Sequence, residues 1–184
     1  MSNFFYKFKK DLDFDIQYFS SVYEIKDIKT LDLIKKSFIN SYKINDIDSV
    51  NMDHKDFRVY LENKELLVLF HNSEFICFIT FDYKPSISGV GLSFYVPAEF
   101  DSKSFKSYLE VLIKVFAFII KEDPEYKYVY FDVASKVIFK WAKEIVPKLK
   151  SSKIRDKYII CYTPMDKTYI EETVLKNNEV YLVC

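Results

Sequence analysis

Residues 102–107 read Ser-Lys-Ser-Phe-Lys-Ser, directly ahead of a long apolar run. Lys103 and Lys106 carry ammonium charge, and Ser104 and Ser107 add hydroxyl donors. The start of a helix offers unpaired N–H groups and the positive end of the backbone dipole, so the run from Lys103 to Ser107 can hold a phosphate or diphosphate. A solvated first helical turn accounts for the same residues. Asp132, at the end of a predicted strand, can act as a general base or cap the helix that follows. Tyr83 and Tyr95 are rings whose presence core packing accounts for. His71 falls in a predicted turn, and His54 sits beside Asp53 and Asp56, so both are expected at the surface. The basic run 148–157 can touch phosphate or an acidic partner, or be a lysine-rich loop, which is the expectation.

Composition removes several chemistries. There are two glycines, Gly89 and Gly91, and neither G-x-x-x-x-G-K-[ST] nor G-x-G-x-x-G occurs. Backbone that wraps a phosphate closely needs glycine, which argues against a P-loop NTPase, a kinase or a classical NAD enzyme. The cysteines, Cys77, Cys161 and Cys184, include no C-x-x-C pair, and no zinc or other metal site is expected. Cys77 and Cys161 lie in apolar strand patterns and are expected as inert core residues, while Cys184 is terminal and expected to be exposed.

Charges balance at 27 of each sign, so no general attraction to nucleic acid is expected. Arg58 and Arg155 are the only arginines, which leaves few sources for a bidentate anion clamp. The most apolar stretch, LEVLIKVFAFII, is interrupted by Lys114 and too short to span a bilayer. Lys7, Lys9, Lys10 and Asp11 stand where a leader would be apolar. A reducing cytoplasm, with no membrane contact, is the expected setting.

The elements that must position these residues follow from periodicity. Residues 1–15 suggest an arm or short helix. Residues 16–25 read as a strand. Asp27 caps a predicted helix with Ile28, Leu31, Ile34, Phe38, Ile39 and Tyr42 on one face. A shorter helix is predicted over 52–63. Strands follow over 65–71 and 74–83, with Asn72-Ser73 as a hairpin turn. Pro85, Gly89 and Gly91 suggest a turn before a strand at 90–96. A long helix is predicted from about 103 to 121, apolar on two sides. A strand over 126–133, a helix from Ser135 that Pro147 can shorten, and strands at 158–162 and 179–183 complete the series. Apolar residues make up 49% of the 184 and aromatics 18%, enough for one core filled largely by rings. One domain over 1–184 is expected, with 165–184 as a C-terminal extension.

This order resembles the GNAT-type acyl-CoA N-acyltransferase fold. YEIKDIKTLDLIKKSF is similar to that family's opening strand and helix, and LENKELLVLFHNSEFICFITF to its hairpin. VPAEFDSKSFKSYLEVLIKVF is similar to its strand-loop-helix that carries acyl-CoA. The resemblance covers roughly residues 16–162. It implies an α+β domain with a central mixed, mostly antiparallel sheet flanked by helices. It also implies acetyl-CoA or another acyl-CoA as donor, with the pantetheine arm along 92–96 and oxyanion stabilisation from backbone N–H near Tyr95 and Val96. The diphosphate would sit on Ser102, Lys103, Ser104, Phe105, Lys106 and Ser107. Departures are specific. The family's loop follows R-G-x-G-x-G/A, whereas Asp101 replaces the basic residue and Ser102, Ser104 and Lys106 replace the glycines. Trp141 stands where a Tyr commonly protonates the leaving thiolate, and Ala134 or Ser135 where an Asn is often found.

Two functions follow. One is a divergent N-acyltransferase acting on a small-molecule or protein amine, with Asp132 or a strand-bound water as base. The other is an inactive GNAT-like fold that binds a protein partner through surface aromatics or its doubly apolar helix.

Overall fold

The computed structural model describes residues 5–8, 14–44, 57–84, 86, 89–99, 106, 108–110, 127–133, 136–155, 158–164, 168 and 180–183, some by backbone alone. The chain clusters into two compact units, residues 1–81, 93–100 and 181–184, and residues 82–92 and 101–180.

In the first unit, strand β1 (Phe5–Phe8) pairs antiparallel with β2 (Phe14–Phe19). The suggested N-terminal arm or helix is therefore a strand in part. Alternating aromatic and charged residues suit a pleated edge as well as a helix, and pairing with β2 decides between them. The strand predicted over 16–25 ends at Phe19 and gives way to a 3-10 turn, Val22–Glu24, capped by Ser21. Glu24 folds back on Ser20 through its hydroxyl at 2.7 Å and its N–H at 3.0 Å.

Helix α1 (Ile28–Ile44) starts where Asp27 predicts. Asp27 Oδ2 accepts from the Thr30 N–H at 2.9 Å and the Thr30 hydroxyl at 2.6 Å, satisfying one of the donors orphaned at a helix start. The buried face is Thr30, Ile34, Ser37 and Phe38; Ile28, placed on that face by periodicity, is 81% exposed. It is the first residue of α1, ahead of the buried part of the stripe, which begins at Thr30. Among the described residues, the helix predicted over 52–63 is one turn, α2 (Arg58–Leu61).

Strands β3 (Leu66–His71) and β4 (Glu74–Lys84) form the predicted hairpin. Asn72 and Ser73 both have positive φ, 50° and 63°, as a two-residue turn of matching twist requires. Alternation in β4 suggested one buried face, yet Cys77, Phe78, Ile79 and Thr80 are all buried, as are Leu66 to Leu69. The sheet here is covered on both sides, which favours continuous apolar runs. One face carries Phe19, Leu66, Val68 and Phe78 against Ile34 and Phe38 of α1, Leu61 of α2 and Phe57, which precedes α2.

Strand β5 (Gly89–Tyr95) passes from the second unit into the first. In the second unit it runs parallel to β6 (Tyr128–Val133), which pairs antiparallel with β8 (Tyr158–Pro164). Strand β7 (Lys150–Arg155) pairs antiparallel with β8 and corrects the expectation of a lysine-rich loop at 148–157. Its polar sequence suits the end of a strand order, where charged side chains discourage further pairing. Helix α3 (Lys136–Ile145) stops ahead of Pro147 and packs against β6 and β8. Of the predicted long helix, Lys106 and residues 108–110 are described, and they are helical. Strand β9 (Val180–Val183) lies next to β1 in the strand order, so the predicted C-terminal extension contains a strand of the sheet.

Two measurements check this local reading. A left-handed Ser73 costs about 1–2 kcal/mol, more than the added chain entropy of glycine, about 0.5–1 kcal/mol. Ser73→Gly is therefore expected to raise stability in urea denaturation. The Asp27 carboxyl is held below its ordinary value by the Thr30 hydroxyl, and then by the Thr30 N–H. A carboxyl depressed in the folded state stabilises it above the unfolded pKa and loses that contribution as pH falls through the folded one. Asp27→Ala should lower the thermal midpoint at neutral pH, with the gap to wild type narrowing below the ordinary aspartate range.

Candidate functional site

The candidate site begins on β5. Its parallel ladder with β6 runs from Gly89–Tyr128 to Leu92–Phe131. Gly89 and Gly91, predicted to mark a turn, are strand residues, and neither has positive φ. Gly91 is needed for close approach instead. A Cβ there would stand 2.7 Å from the Tyr130 ring and hydroxyl. That hydroxyl donates to the Asp82 carbonyl at 3.3 Å, which keeps the ring over the glycine.

Past Leu92, β5 continues to Tyr95 outside that ladder. The Tyr95 ring lies on Phe78 with centroids 4.4 Å apart and planes 6° from parallel. Phe38 of α1 approaches the same ring at 5.6 Å. The adjoining Val96 carbonyl accepts from Asn40 Nδ2 at 3.0 Å. Tyr95 thus has the packing role expected of it, and its backbone is held together with that of Val96 by α1 and β4. Tyr83 is described by backbone alone.

Of the predicted anion-binding run, Ser102, Lys103, Ser104, Phe105 and Ser107 lie outside the described residues. Lys106 is helical and half-exposed, and its ammonium donates to Glu144 Oε2 at 2.7 Å. This bond holds the Glu144 carboxyl below its usual value. Sequence reasoning missed Glu144, which is 38 residues away on α3 and has no local signal linking it to Lys106. It also missed Asn40. The available clue was a polar cluster in α1, with Ser37 on the buried stripe and Asn40 and Ser41 close by.

Asp132 lies in β6 opposite Ile160 of β8 and is described by backbone alone. Trp141, in α3, is partly buried. Ala134, Ser135, His54 and Cys184 are outside the described residues, and His71 closes β3 partly buried. Cys77 and Cys161 are buried as predicted, and burial pushes the Cys77 thiol up to about 12, which removes it as a nucleophile at neutral pH. Among the described residues, no three His, Cys, Asp or Glu side chains gather as metal ligands, and no helix is long and apolar enough to cross a membrane.

No family model matches the sequence, and no curated protein matches it. Solved structures do match. The AHL synthase LasI superposes with a TM-score of 0.58 at 12% identity, over 85% of this chain and 92% of that one. An acetyltransferase from Streptococcus agalactiae gives 0.52 at 12%, over 83% and 98%. The Campylobacter jejuni N-acetyltransferase PseH, also solved with acetyl coenzyme A, gives 0.50 at 11%, over 82% and 99%. The fold is GNAT-like. The expected α+β class, with its mixed, mostly antiparallel sheet, is borne out. At this level of identity the likeness concerns fold alone.

The close approach at Gly91 is testable by a double-mutant cycle. Gly91→Ala should cost about 1–2 kcal/mol, because displacing the Tyr130 ring outweighs the reduced entropy of the unfolded chain. In a Tyr130→Ala background the same change should be neutral or stabilising.

Proposed function

We propose that this chain transfers an acyl group from acyl-CoA to an amine. The observation that carries the reading is the end of β5 in a GNAT-like fold. There, Tyr95 and Val96 extend beyond the parallel ladder and are held by Phe78, Phe38 and Asn40. Ligands of parallel strands gather at their carboxyl ends, where backbone groups leave the ladder. Residues 92–96 would take the pantetheine arm, and backbone N–H groups near Tyr95 and Val96 would face the thioester oxygen.

In the reaction the amine nitrogen attacks the thioester carbonyl. The C–N bond forms, and negative charge collects on oxygen beside those N–H groups, which fixed donors stabilise without reorganising. Collapse breaks the C–S bond and releases CoA thiolate. The proton lost by nitrogen passes to Asp132 or a strand-bound water and ends on the thiolate. Trp141, at the position expected for the acid, offers only an indole N–H, far too weak an acid to protonate a thiolate, so solvent would complete this last transfer.

A second reading has specific support. Lys106 is already paired with Glu144, and Trp141 replaces the expected acid, features that suit a GNAT-like fold binding a protein partner without catalysis.

The thermal midpoint with acetyl-CoA, free CoA and ATP separates the two. A ligand at 100 times its dissociation constant adds about 2.7 kcal/mol, or about 5–10 °C for a chain of this size. Both CoA species should shift the midpoint and ATP should not; no shift at several millimolar would sink the transferase reading. Lys103→Glu with Lys106→Glu should abolish the shift. Glu144→Gln should tighten CoA about two- to fivefold, the scale of releasing Lys106 from an exposed ion pair.

A further inference from the structure

We infer that Asn40 is a positioning residue for the acyl donor, acting through the backbone of β5; the inference rests on the transferase reading. Val96 precedes Pro97, so the Val96–Pro97 peptide has a carbonyl but no N–H. Its one polar group is the acceptor that Asn40 Nδ2 engages at 3.0 Å, across 56 residues of chain. Pro97 also restricts Val96 to extended backbone. With the Val96 carbonyl direction set by Asn40 and its φ and ψ narrowed by Pro97, the preceding peptide plane has little freedom left. That plane carries the Val96 N–H.

The other end of the same peptide is fixed independently. Tyr95 is stacked on Phe78 at 4.4 Å and flanked by Phe38 at 5.6 Å. Phe38 and Asn40 are two residues apart on α1, so one helix sets both the ring and the carbonyl. A donor that stabilises a developing oxyanion is effective only if it is aimed before the reaction, and this arrangement aims the Val96 N–H. Asn40 touches neither acyl group nor amine. Its amide points the backbone that does.

The test is the infrared band of acetyl-CoA labelled with carbon-13 at the thioester carbonyl. Bound to the wild type, the band should move to lower frequency than in free acetyl-CoA, because an N–H donor polarises the carbonyl. Asn40→Asp keeps the side-chain shape and presents no donor to the Val96 carbonyl; Asn40→Leu does the same without charge. Both should lose the downshift and weaken acetyl-CoA about two- to tenfold, while free CoA, which lacks the carbonyl, binds as before. Asn40→Gln, which retains the amide, should recover part of the downshift. A role confined to stability would lower the thermal midpoint and leave the band and the acetyl-CoA to CoA ratio unchanged, which would overturn the inference. So would a wild-type complex without a downshift, which needs no variant to fold. If the wild type binds neither acetyl-CoA nor CoA, the transferase reading falls and takes this inference with it.

Discussion

Phe38 is the contact on which the first unit turns. Its ring is 1% exposed and lies 5.6 Å from Tyr95, 5.9 Å from Tyr60 and 6.4 Å from Phe57. One side chain therefore ties α1 to the end of β5 and to the segment around α2. Truncating a buried ring of this size to alanine commonly costs about 3–5 kcal/mol, a large share of the net stability of a domain. The stripe that presents Phe38 also contains Ser37 and Thr30, both buried. The helix is thus held by ring packing more than by a uniformly apolar face.

The same packing has a functional consequence. A chain with two glycines has little scope for wrapping backbone around a phosphate, so the proposed site would rely on side chains and on strand ends. In the first unit, the end of β5 is ordered from α1 and β4 through Asn40, Phe38 and Phe78. In the second unit, a glycine admits the Tyr130 ring, and Lys106 meets a carboxylate. An ammonium beside Glu144 is a weaker anion site than a free one, because an incoming anion must compete with a partner at 2.7 Å.

Where a signal was local, the chain made it readable. Asp27 announced the start of α1, Asn72-Ser73 the hairpin, and Pro147 the end of α3, since each acts on its own backbone neighbours. Signals that depend on distant pairing misled. The polar segment around β7 becomes a strand because β8 offers it a ladder. Phe5–Phe8 becomes one because β2 does. Gly91 reads as a turn residue because glycine permits positive φ, whereas here it makes room for Tyr130.

The sequence by itself determined the class of fold and the order of most of its elements, because periodicity and capping are properties of short stretches of chain. It also set the absence of a glycine-rich phosphate cradle, a matter of composition alone. Tertiary structure decided which polar groups meet. Asn40 reaches Val96 across 56 residues and Lys106 reaches Glu144 across 38, distances over which a sequence carries no periodic trace. Those meetings are set by how helices settle on strands, and that depends on the packing of buried rings and aliphatic side chains from every part of the chain at once.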